Sequence, residues 1–226
     1  MFRFKRWQFN NYLQNQNWNI KKFSSSNNPN NTNSSNNLPT SYSNGIKIMH
    51  FIQGVGICGI ALTGYIASGI DPKKATEAEK KYKSNLMHYH KSFGIIMFGC
   101  IFPRLYFRFA NTLPAHVSAS SLEVLGGKLM HYALYGMLVI MPVTGVGMGY
   151  TSGYGAPFFS WKMPGVSKEK AATESYKQKA SWFYKTHKQF GKILEYLIPM
   201  HIGATGYYYV VRGQNLLPRI NPFIFK

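Results

Sequence analysis

Residues 183–212, FYKTHKQFGKILEYLIPMHIGATGYYYVVR, carry two histidines, His187 and His201, fourteen positions apart. Each residue of an α-helix turns ~100°, so fourteen residues bring the side chain back to within ~40° of the same face, ~21 Å further along the axis. Two imidazoles therefore point the same way at two levels. The second half of the stretch, IPMHIGATGYYYVV, reads as the apolar part of a membrane segment, and Tyr207, Tyr208 and Tyr209 close it as an interfacial aromatic belt. An ionisable side chain inside a membrane segment is functional by default.

Three more segments share this character. Residues 46–68 (IKIMHFIQGVGICGIALTGYIAS), 86–109 and 124–150 are rich in Ile, Leu, Val, Phe, Met and Gly. Each approaches the ~20 residues that a helix needs to cross a hydrocarbon core of ~30 Å. Small residues are frequent in all four, as close helix packing in lipid prefers. Pro142 is expected to kink the third segment, which neighbouring helices can accommodate. A soluble bundle would need polar helix faces, and residues 124–150 offer almost none. The expected fold is an all-α membrane protein, a four-transmembrane-helix bundle over residues 46–212. A basic Asn/Ser-rich arm (1–45) precedes it and a short tail (213–226) follows.

Chain direction then pairs the histidines. The first segment starts on the side where the fourth ends, which puts His50 level with His201. The second starts on the side where the fourth starts, which puts His90 level with His187. Two imidazoles facing each other at each of two depths form the geometry for two haems stacked across a bilayer, since histidine is a common axial ligand. The other reading of any one of these residues is a hydrogen-bonded core histidine, but four matching in depth favour the pairs. His131 falls at the level of His50 and His201, as an extra polar group there or a quinone contact rather than a ligand. His88 faces elsewhere on its helix, and His116 lies in a loop. Arg104 stands fourteen residues after His90, on the same face one level lower, with Arg108 a turn beyond. Guanidinium pairs bidentately with carboxylates, so both are candidate partners for haem propionates, or else charges snorkelling to the interface. Lys91 is a weaker candidate for the same task at the other level.

The 226 residues include 26 Lys+Arg against 7 Asp+Glu, a formal net charge of +19. Charge of that sign can mark a nucleic-acid binder. Here the basic residues are dispersed over the polar segments without a recognised nucleic-acid motif, so no nucleic-acid partner is expected. Nor is there a P-loop, a dinucleotide fingerprint or a hydrolytic triad motif. The positive charge falls almost evenly on the two sides of the expected membrane and gives no orientation. The first acidic residue is Asp71, and residues 24–37 are an Asn/Ser tract. A basic, Ser-containing, acid-free beginning has the composition of a mitochondrial transit segment, or of an arm held by a partner. Cys58 and Cys100 lack metal-site or covalent haem-attachment spacing and are expected to be small buried hydrophobes.

Several stretches resemble one family. HYHKSFGIIMFGCIFPRLYFR (88–108) is similar to the second helix of the bacterial-type cytochrome b561 family, and MHYALYGMLVIMPVTGVGM (130–148) to its third. WKMPG (161–165) resembles a short motif that precedes the fourth helix, and THKQFGKILEYLIPMHIGA (186–204) resembles the ligand helix. The resemblance spans about residues 46–212. It implies that His50, His90, His187 and His201 hold two haem b groups by bis-histidine ligation, and that the chain transfers single electrons, typically with a quinol or quinone. The long amino-terminal arm, the first loop and the Lys-rich third loop depart from the family pattern. The resulting expectation is a di-haem b-type cytochrome of the mitochondrial inner membrane, exchanging electrons with ubiquinone inside a respiratory assembly. The alternative is a structural accessory subunit of a respiratory complex, with the same fold and no turnover of its own.

Overall fold

The computed structural model describes residues 39–114 and 120–223. The amino-terminal arm, apart from residues 39–45, and His116 lie outside the described residues. The chain forms helices α1 (Asn44–Gly69), α2 (Glu77–Gly99), α3 (Ile101–Ala110) and α4 (Ser121–Thr151). A hairpin of β1 (Ala156–Phe158) and β2 (Trp161–Met163) follows, then α5 (Lys168–Ala171), α6 (Glu174–Arg212) and α7 (Leu217–Ile220).

Three stretches are long and apolar enough to cross a membrane: α1, the 34 residues Glu77–Ala110 that contain α2 and α3, and α4. Their side chains are distributed as lipid requires. The largest fully buried side chains among the described residues are polar, Gln53 and Ser92, each 0% exposed, whereas Leu122 is 79% and Phe109 76% exposed. In hydrocarbon the apolar side chains face outward and the polar groups find partners inside.

The fourth expected span differs from the other three. Helix α6 is continuous for 39 residues, yet it is not among the three apolar stretches. Its first half carries Lys177, Lys179, Lys185, Lys188 and Lys192, and the uncharged run Tyr196–Val211 is diluted by His201 and four tyrosines. The helix also begins nine residues earlier than expected, because the Lys-rich segment is itself helical from Glu174.

Local chemistry sets the boundaries. Thr76 and Glu79 close a capping box at the start of α2: the Glu79 amide donates to Thr76 Oγ1 at 3.3 Å, and the Thr76 amide donates to Glu79 Oε2 at 2.7 Å. The second span is interrupted at Cys100, between α2 and α3. Pro103 lacks an amide proton, and its ring crowds the carbonyl four residues back, that of Gly99. The Cys100 amide to Ile96 O (2.9 Å) and the Arg104 amide to Cys100 O (3.3 Å) keep the axis continuous. At Pro142, by contrast, α4 runs on unbroken. Helix α6 ends on Gly213 in the left-handed region (φ +63°), where a side chain would be strained.

The helices associate in two pairs. Helix α4 lies mainly along α6, and α1 along α2 and α3; contact between the pairs is much smaller. Glu123 at the start of α4 accepts from Tyr208 Oη (3.2 Å) and forms a salt bridge with Arg212, both near the end of α6. The hairpin packs on α2 at Ser92. The Phe159 amide donates to Ser92 Oγ at 2.9 Å, and the Ser92 hydroxyl points to His88 O (3.0 Å) and Pro157 O (3.4 Å). Cys58, expected to be buried, is exposed on α1, and Cys100 is half-buried.

Candidate functional site

Four helices converge on His90 and His187. His90 projects from α2 and His187 from α6, with ring centroids 6.1 Å apart and an interplanar angle of 79°. Each ring is held from behind by the preceding long helix. His90 Nδ1 lies 3.0 Å from Ile60 O and 3.3 Å from Thr63 Oγ1 on α1. His187 Nδ1 lies 3.0 Å from both Met141 O and Thr144 Oγ1 on α4. A carbonyl can only accept, so Nδ1 carries the proton in both rings. That leaves Nε2 of each ring as a lone-pair donor, the tautomer a metal-ligating imidazole needs. Gly64 and Gly145 make room for the rings: a Cβ on Gly64 would lie 3.1 Å from His90 Cε1, and one on Gly145 would lie 3.3 Å from His187 Cε1. A cavity of about 300 Å³ beside this pair is walled by Lys91, Gly145, Met148, Tyr154 and the base of the hairpin.

The second pair lies fourteen residues further along α6. His50 of α1 and His201 of α6 also stand 6.1 Å apart by ring centroid, at 52°. His131 of α4 joins them, 5.2 Å from His201, with its Nδ1 2.7 Å from Gly127 O. Arg104 lies inside the same cluster. It donates from Nη1 to Gln53 Oε1 at 3.0 Å, and its guanidinium sits 5.3 Å from the Tyr135 ring centroid. Gln53 in turn reaches Met97 O at 3.4 Å. Arg104 and Arg108 both bring positive charge to His131. Among the described residues neither arginine forms a salt bridge, so the cluster is cationic and suited to carboxylate groups.

A metal bound in line between two imidazole nitrogens at about 2 Å each holds the ring centroids roughly 6 Å apart, as in both pairs. Among the described residues no cluster of three or more His, Cys, Asp or Glu could hold a bare ion. Two opposed imidazoles suit iron whose other four positions are already filled by a macrocycle. The residues therefore fit haem.

Long apolar helices that bring paired histidines together inside them define a class, the multi-pass membrane haem proteins. The family model described as prokaryotic cytochrome b561 matches residues 41–222, and the chain belongs to that family. It is accordingly a haem-containing membrane cytochrome of electron transfer. No curated protein matches it.

Several residues at the site were not anticipated: Thr63, Gly64, Thr144 and Gly145 behind the first pair, and Gln53 and Tyr135 around Arg104. The signal for the first four is an internal repeat. HFIQGVGICGIALTG (50–64) and HYALYGMLVIMPVTG (131–145) both begin with His and end in Thr-Gly. HKSFG (90–94) and HKQFG (187–191) follow in α2 and α6. Each half is thus a helix with a His at one end and Thr-Gly at the other, followed by a helix that starts its inward face with His-Lys-x-Phe-Gly. In this register Arg104 occupies the place of His201, and His50 the place of His131.

Proposed function

We propose that the chain is a di-haem b-type cytochrome in which His90 with His187, and His50 with His201, are the axial pairs. One observation carries this reading: two imidazole pairs with the same 6.1 Å separation, one turn-matched helix apart. Helix α6 would serve as the fourth membrane helix, its apolar length being Tyr196–Val211 and its Lys-rich start projecting beyond the bilayer. Arg104, Arg108 and Lys91 would neutralise propionates, and His131 would border the lower group. Bound iron would supply one-electron chemistry; the chain orients its ligands, excludes water and balances its charge.

Ubiquinol or ubiquinone is the proposed redox partner, on the side of His131 and Arg104, where imidazole and guanidinium can hydrogen-bond a quinone oxygen. The acid-free, basic composition of residues 1–45 supports placing the protein in the mitochondrial inner membrane, among lipid and the other subunits of a respiratory assembly. Haem quantification and a reduced-minus-oxidised spectrum of the purified protein test the first part. Two haems per chain with a b-type α-band are expected, and a stoichiometry near zero would sink it. Reduction by ubiquinol in rapid mixing tests the second; haems that stay oxidised in the isolated chain and in its assembly would favour a structural accessory role.

A further inference from the structure

Serine and threonine in membrane helices often bond back to a carbonyl three or four residues earlier. Thr63 does so to Ile60 O at 2.8 Å, and Thr144 does so to Ile140 O at 2.7 Å and Met141 O at 3.0 Å. That much is ordinary helix chemistry. What exceeds it is the second partner of each hydroxyl. The one hydroxyl proton is committed to a carbonyl, so each oxygen can only accept towards the imidazole. The Nδ1 protons of His90 and His187 are therefore shared between a carbonyl and a threonine oxygen, at 3.0 and 3.3 Å in one half and 3.0 and 3.0 Å in the other. The following glycine brings the helix backbone against the ring, so the imidazole is held by two acceptors and a close wall. The same device occurs once in each half, at the same place in the repeat.

We infer that Thr63 and Thr144 are equivalent positioning residues of the two halves, which fix the rotation of His90 and His187 and strengthen electron donation from their Nε2 atoms. The inference rests on the reading of these histidines as an axial pair. A second acceptor on Nδ1–H makes the imidazole more basic at its other nitrogen, as carboxylate and carbonyl partners do for metal-bound histidine elsewhere. A more basic ligand favours the oxidised metal. Removing either hydroxyl therefore raises the reduction potential of the group between His90 and His187 and leaves the other group as it was. Among the described residues neither His50 nor His201 has such a clamp, and the neighbouring His131 Nδ1 faces Gly127 O of its own helix.

The test uses the full chain in detergent micelles or nanodiscs, carrying Thr63→Val, Thr144→Val, Thr63→Ser and Thr144→Ser. Midpoint potentials of both haems are read by spectroelectrochemical titration, and ligand-plane geometry by the g values of the oxidised low-spin signals. Both valine variants are expected to raise the potential of one and the same haem by similar amounts and to move its g values. Both serine variants should stay near the parent. Unchanged potentials in valine variants that retain both haems would overturn the inference, as would equal shifts at both haems. Should a valine variant fail to assemble, Gly64→Ala, which presses on the same ring without touching the hydroxyl, is expected to move the g values of that haem; an unchanged signal counts against the clamp. A His90→Ala variant that keeps both haems would instead reject the axial pair itself.

Discussion

Arg104 is a cation inside the helix cluster whose direct partners are neutral, Gln53 and Tyr135. Gln53 is fully buried, and a buried amide left without its partner costs about 1–3 kcal/mol. Replacing Arg104 with Leu therefore acts twice: it strands Gln53 Oε1, and it removes a cation facing any carboxylate held there. The variant is expected to unfold at lower temperature and to lose the lower haem preferentially, measured by thermal melting and by haem content. Arg104→Lys keeps the charge but not the fork, and should fall between. Ligand substitutions separate the levels more cleanly. His187→Ala should abolish one b-type component and retain the other, resolved by potentiometric titration. The histidines were legible because fourteen residues is nearly a whole number of helical turns, so distance along the chain reports direction as well as depth. Gln53 and Tyr135 were not, since a lone amide or phenol in an apolar helix has no period to betray what it faces.

The elements show the same division. Three apolar helices follow directly from length and hydropathy. The helix break at Cys100 lies three residues before Pro103, whereas the hydrogen-bonded helix α4 continues through Pro142. The hairpin was hidden for a stronger reason. Its two-residue turn places Phe159 at φ +50°, a conformation normally given to Gly, Asn or Asp, and no turn motif announces it. Tertiary contacts hold it: the Phe159 amide on Ser92 Oγ, and its ring 5.5 Å from Phe93. Ser92 sits two residues from His90, so the hairpin is anchored beside the site. Ser92→Ala leaves the Phe159 amide without its acceptor, at a cost of about 1–3 kcal/mol. Faster proteolytic cleavage between residues 152 and 166 is the expected outcome, with the lower-level haem unchanged.

Across the whole molecule, the chain is two helix pairs with broad contact inside each and little between them. Each proposed axial pair takes one histidine from the first pair of helices and one from the second. Group binding and helix association are therefore linked. A ligand bound only by the folded state at a thousandfold over its dissociation constant adds ~4 kcal/mol, which corresponds to on the order of 10 °C in the midpoint of a chain this size. Growth under haem limitation should give protein whose melting point is lower by that order, restored on reconstitution. Amide exchange should rise most where the two pairs meet, along α2 against α4 and α1 against α6. An unchanged melting point at low haem content would show that the pairs hold each other without help.

The repeat leaves the two levels unequally insured. At the upper level both halves contribute the same histidine, the same threonine and the same glycine, and every copy is in use. At the lower level four equivalent places hold three histidines and Arg104, so His131 is a third imidazole only 5.2 Å from His201. On the proposed assignment His50→Ala leaves His131 as a neighbouring imidazole at the same depth, whereas His90→Ala leaves no such neighbour among the described residues. His50→Ala is therefore expected to retain more haem than His90→Ala, read from the haem content of the purified variants.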